Sequence, residues 1–112
     1  MKIVFTSTGN DWNSLIDDRF GRAEKLVVFD EETNNFEVID NDTSQMEHGA
    51  GLQTIKKVID LGANVVITGN GAGAKILDVA KMSDIKFFIG AHGMSLKEAY
   101  EAYNNKRLEN QF

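Results

Sequence analysis

Asn64-Val65-Val66-Ile67-Thr68-Gly69-Asn70-Gly71-Ala72-Gly73 joins an uninterrupted apolar, β-branched run to a glycine-rich turn. A run of that kind over 64–68 predicts a strand buried on both faces, the mark of a parallel strand with helices covering it. Downstream, Ile76, Leu77 and Ala80 share one helical face, and Lys86-Phe87-Phe88-Ile89 predicts another strand. A strand–helix–strand unit makes the two strands parallel. Upstream, Leu52, Ile55, Val58 and Ile59 recur at helical offsets, and Gly62 stands where a helix C′ residue is expected.

The opening of the chain reads differently. Strands are predicted over 2–7, 26–30 and 36–39, with a polar turn over 31–35 that makes the last two an antiparallel hairpin. The stretches 12–22 and 41–47 have no clean period and read as loops. At the far end Ser95 and Glu98 form a capping-box pattern, and Leu96, Ala99, Tyr100 and Tyr103 supply the apolar face of a last helix. The expected order is β-β-β-α-β-α-β-α: an α/β chain with a mixed five-stranded sheet and three helices.

A length of 112 residues suits one domain, 1–112. The net charge of −5 gives no attraction to nucleic acid or to an anionic membrane surface. With no Cys, disulfides and thiolate-only metal sites are excluded. No signal-peptide pattern or long apolar span is present, and the default expectation is a cytoplasmic protein.

Four constellations bear on chemistry. His48, with Gly49 and Gly51, directly precedes the first helix, where backbone N–H groups are unpaired and imidazole can ligate a transition metal. A lone histidine in such a place more commonly lines or caps a loop. His92, before Gly93 and Met94, follows the last strand, at the strand end where open α/β sheets collect ligands; a helix-entry loop with an incidental histidine is the plainer reading. The turn over 69–73 can cradle an anion through Gly69 and Gly71 or simply turn the chain, and it matches neither the P-loop nor the dinucleotide fingerprint. Arg19 and Arg22 flank Phe20-Gly21, offering forks for oxyanions or a salt-bridged loop with Phe20 in the core. No nucleophile–base arrangement stands out.

Taken in order, Arg19-Phe20-Gly21-Arg22-Ala23 leading to Asp30, Asp40-Asn41 with His48-Gly49-Ala50-Gly51, Val65-Val66-Ile67-Thr68-Gly69 with its turn, and the stretch 96–103 resemble the dinitrogenase iron–molybdenum cofactor biosynthesis family. The resemblance implies a ribonuclease H-like fold with strand order 3-2-1-4-5. It also implies a non-enzymatic carrier of an iron–sulfur or iron–molybdenum cofactor precursor, working with a cofactor-assembly protein. In that reading His48, and with it His92, contacts the metal, while Arg19, Arg22, Gly49, Gly51, Gly69 and Gly71 hold anionic groups. Arg19 stands where many relatives carry His. Two rivals remain: a small-anion or nucleotide-binding module built on the 69–73 turn, and a protein-interaction domain without a ligand. A nuclease, suggested only by the fold, lacks a carboxylate on the first strand.

Overall fold

A computed structural model describes residues 1–43, 46 and 48–112. Ser44, Gln45 and Glu47, which the sequence places in a loop, lie outside the described residues. The elements are β1 (Lys2–Ser7), β2 (Lys25–Asp30), β3 (Asn35–Asp40), α1 (Ala50–Asp60), β4 (Val65–Ile67), α2 (Ala74–Met82), β5 (Lys86–Ile89), α3 (Leu96–Asn104) and β6 (Glu109–Asn110).

They form one mixed sheet in the order β3-β2-β1-β4-β5-β6. The expected order 3-2-1-4-5 is present, but the sheet has six strands and not five. The sixth, Glu109–Asn110, pairs antiparallel with β5. Two exposed polar residues carry no alternation, so only the backbone ladder reveals that strand.

β1 lies at the centre, antiparallel to β2 and parallel to β4. Ile3 to Ser7 are all buried, and alternate residues serve opposite faces. Ile3 and Phe5 join Val27, Phe29, Ile67, Leu96 and Ala99 under α3. Val4 joins Leu26, Val28, Val66, Phe87, Ile55, Val58, Ile76 and Ala80 under α1 and α2. On α1 the expected apolar face is rotated slightly. Leu52 is exposed, whereas Thr54 is buried and hydrogen-bonded to the side chain of Asn41 and to the carbonyls of Gly21 and Ala50. A hydroxyl that finds partners for its polar atom competes well with leucine for that position.

Strand direction decides where the loops gather. β2 is antiparallel to both β1 and β3, so β3 runs with β1, and β4 and β5 run with it too. The carboxyl ends of β1, β3, β4 and β5 therefore share one edge of the sheet. From that edge start loop 8–24, α1, α2 and α3.

The three helix starts differ. At α3, Ser95 accepts from the Glu98 N–H and Glu98 accepts from the Ser95 N–H, as the capping-box pattern predicts. The Leu96 and Lys97 N–H groups donate to the carbonyls of Ser14 and Trp12. α1 and α2 start at Gly49 and Gly73, with no side-chain cap and no acid in the first turn.

The Ser95 backbone hydrogen bond holds the Glu98 carboxyl below its ordinary range. A lowered folded pKa adds stability above the unfolded value and loses it as pH falls through the folded one. Glu98→Ala should therefore lower the melting temperature at about pH 6, and the gap should narrow as the pH falls below the ordinary carboxyl range. Thermal unfolding monitored by circular dichroism at several pH values checks this.

Candidate functional site

Loop 8–24 crosses the sheet edge from one face to the other. Trp12 lies on the α3 face, with ring centroids 5.0–5.7 Å from those of Phe5, Phe29, Phe36 and Tyr100. Phe20 is buried on the opposite face, 5.0 Å from the Phe87 ring. The residues between these two anchors must pass over the strand ends. Asp17 does so with its carbonyl bound by the Thr6 hydroxyl (2.6 Å), which also hydrogen-bonds the Thr68 hydroxyl (2.8 Å). The Asp17 N–H donates to the Thr6 carbonyl (2.9 Å).

The Asp17 carboxylate is buried and holds Arg19 at both oxygens, from Nε and Nη2 (3.2 Å each), while the Arg19 N–H donates as well (3.0 Å). This is a bidentate pair, and the bonds to Asp17 raise the Arg19 pKa. The salt-bridged-loop reading of this segment is thus present, with Phe20 in the core as part of it. Arg22 is half-buried, and its Nη1 lies 3.4 Å from the Thr43 carbonyl.

Asp18 follows. Its carbonyl accepts from the Asn70 N–H (3.1 Å), and its Oδ2 lies 2.7 Å from His92 Nδ1. His92 is mostly exposed. Its expected place at the end of β5 is correct, but the partnership with Asp18 was not legible, because the two residues are 74 positions apart. Met94 packs partly buried against the α3-face core, as a residue just ahead of a helix cap often does.

His48 is exposed, one residue before the Gly49 that starts α1, and makes no hydrogen bond among the described residues. The two histidines share an edge of the sheet, and no hydrogen bond joins them. Gly49 has φ +77°, a conformation that side chains rarely adopt. Gly51 lies between Gly21 and Ile76: a Cβ at Gly21 would meet the Gly51 Cα and N at 2.9 Å, and a Cβ at Gly51 would meet Ile76 Cδ1 at 3.1 Å. The motif residues Phe20-Gly21 thus seat their loop directly on the first turn of α1, which in turn rests on α2.

The 69–73 turn is less open than a phosphate cradle. Gly69 faces the Asp18 carboxylate, and Gly71 faces the Gln111 amide, which hydrogen-bonds both N–H and C=O of Ala72. Gly73 has open space around it. Beyond these residues, the N–H groups of Ala50, Gly51 and Leu52 on α1, and of Ala74, Lys75 and Ile76 on α2, have no hydrogen-bond partner among the described residues. Unpaired N–H groups at a helix start carry partial positive charge. The described residues contain no group of three or more His, Asp or Glu able to hold a bare metal ion.

The fold and this edge define a small mixed α/β protein. The strand-end edge combines two exposed imidazoles, two guanidinium groups and two helix starts without a side-chain cap. The chain belongs to the dinitrogenase iron–molybdenum cofactor family, whose sequence profile matches residues 1–106. Among solved structures it is similar to the apo form of the orange protein from Desulfovibrio gigas, with a TM-score of 0.90 and 29% identity, covering 97% of this chain and 91% of that one. It is similar to a Thermotoga protein described as a candidate NifB protein, with a TM-score of 0.82 and 30% identity, covering 97% of this chain and 91% of the other. A Methanocaldococcus jannaschii protein, itself described only as uncharacterised, is 28% identical over 87% of this chain and 83% of its own length. No helix is long and apolar enough to cross a membrane among the described residues.

The contact between Gly21 and Gly51 generates one prediction. Gly21→Ala drives a methyl group into helix backbone that cannot rotate away, and should destabilise the protein by about 1–3 kcal/mol. Gly51→Ala meets only the end of a flexible isoleucine and should cost less. Urea unfolding of the two variants beside the wild type measures the difference.

Proposed function

We propose that this protein binds and carries a preassembled iron–sulfur or iron–molybdenum cofactor precursor without transforming it, delivering it to or from a cofactor-assembly protein. The observation that carries the reading is the gathering of His48, His92, Arg19, Arg22 and the bare starts of α1 and α2 at one edge of the sheet. The family's connection with the iron–molybdenum cofactor and the likeness to an apo protein support a cofactor-binding role.

The donor set fits a cargo of this kind. A chain without Cys cannot assemble a cluster from bare iron on thiolates. A metal–sulfur cluster that brings its own sulfide needs only one or two terminal ligands and a setting that favours negative charge. His48 and His92 supply imidazole nitrogen, which suits iron. The unpaired N–H groups of α1 and α2, with Lys75 in the first turn of α2, favour an anion. Arg19 and Arg22 border the same edge. Gly49 makes the turn into α1 and Gly51 lets its first turn pack against Ile76, while Gly69 and Gly71 accommodate Asp18 and Gln111. We further infer that the sheet is the ribonuclease H-like arrangement with an added edge strand.

An anaerobic titration with a preformed iron–sulfur cluster, followed by absorbance and EPR, tests the reading beside His48→Ala and His92→Ala. Saturable binding by the wild type that weakens in the variants is the expected result. No binding by the wild type at about 100 μM, a free energy near 5.5 kcal/mol, would sink it. A thermal shift with inorganic phosphate that survives both substitutions would favour the small-anion module.

A further inference from the structure

The Asp18–His92 pair has features that neither charge nor motif explains. The Asp18 backbone is fixed over the strand ends, since the preceding carbonyl is held by Thr6 and its own by the Asn70 N–H. Its carboxylate is fixed as well. Oδ1 is turned inward against Gly69, buried and without a hydrogen-bond partner among the described residues. A buried, unpaired carboxylate oxygen is unfavourable, and such an atom calls for an explanation. Only glycine leaves room for it: a Cβ at position 69 would overlap Oδ1 and come within 2.8 Å of the Asp18 Cα. What this arrangement achieves is the placement of Oδ2 at 2.7 Å from His92 Nδ1.

The bond has a definite polarity. A carboxylate only accepts, so the proton lies on Nδ1. The other ring nitrogen, Nε2, is then an unprotonated lone pair when the ring is neutral. Among the described residues no hydrogen bond uses Nε2, and the His92 side chain is 75% exposed. A carboxylate in this position fixes the tautomer and the orientation of a histidine that is to act as a ligand. His48, with no such partner among the described residues, keeps both its tautomers and its rotamers.

We propose that Asp18 is a positioning residue that locks His92 in the Nδ1–H tautomer. His92 Nε2 thereby becomes the first nitrogen ligand offered to a metal centre arriving at the strand-end edge, and Gly69 is the position that makes the lock possible. The two histidines are thus unequal: His92 is preorganised, and His48 engages after it. The inference rests on the carrier reading only in naming a metal as what the nitrogen meets.

Long-range proton–nitrogen spectra of the imidazoles, recorded on ¹⁵N-labelled wild type and Asp18→Ala at neutral pH, test the lock. Zinc ion then serves as the probe. Wild-type His92 should show the Nδ1–H pattern and His48 the Nε2–H pattern that free imidazole prefers. In Asp18→Ala, His92 should revert to the Nε2–H pattern. Zinc should move the wild-type His92 signals at about tenfold lower concentration than it moves those of His48, or those of His92 in the variant.

A wild-type His92 carrying its proton on Nε2 overturns the proposal. So does a zinc response that is equal for the two wild-type histidines, or unchanged by Asp18→Ala. Should the amide spectrum show that Asp18→Ala has lost its fold, the wild-type tautomer and the order of the two histidines still decide. Zinc reads the imidazole alone. A protein that passes these tests and binds no preformed cluster would therefore keep the lock and lose the cargo. One that fails them and binds the cluster would do the reverse.

Discussion

The Asp17 carbonyl, held by the Thr6 hydroxyl with Thr68 bound beside it, is the constraint on which the strand-end edge depends. Thr6 and Thr68 are buried at the ends of the two central parallel strands. Their hydroxyls are polar groups that must be satisfied, and the loop arriving from Trp12 satisfies them. Once that carbonyl is placed, the neighbours follow. The Asp17 carboxylate turns to Arg19, Asp18 reaches across to His92, and Phe20 drops into the far core. Gly21 then meets the first turn of α1. A loop with no periodicity thereby becomes one of the more tightly specified parts of the molecule.

Open α/β sheets form a crevice where neighbouring connections diverge. Here that place lies between β1, whose chain continues toward β2, and β4, whose chain continues toward β5. Loop 8–24 covers it, with Asp17 bound to Thr6 at the end of β1 and Asp18 bound to Asn70 just beyond β4. The helix starts also divide the work. α3 is closed by its capping box and by carbonyls from the loop, and its role is to hold the loop in place. The first three N–H groups of α1 and of α2 have no partner among the described residues.

The strands over 2–7 and 86–89, the hairpin, the three helices and the Ser95–Glu98 box were all legible in the sequence, because each is dictated by neighbours a few residues away. Alternation, helical spacing and a cap operate within one turn or one strand. β6 was not legible, since a two-residue edge strand is held by backbone hydrogen bonds to β5 and leaves no side-chain pattern. Nor was the burial of Thr54 in place of Leu52, which depends on Asn41 and Gly21 being present beside it.

Of the candidate site, the sequence by itself determined the inventory. It contains two histidines next to glycines, two arginines around Phe20-Gly21, no thiolate, and a glycine turn between a buried strand and a helix. It also determined that several of these residues follow strands. Only the tertiary structure decided that β3 runs with β1, so that all of them meet at one edge. It alone decided that Gly69 faces Asp18, that Gly71 faces Gln111, and that Asp18 faces His92. The physical reason is range. Residue type and local spacing set propensity over a few positions, whereas a hydrogen bond between residues 74 positions apart exists only after sheet register and loop packing have brought them together.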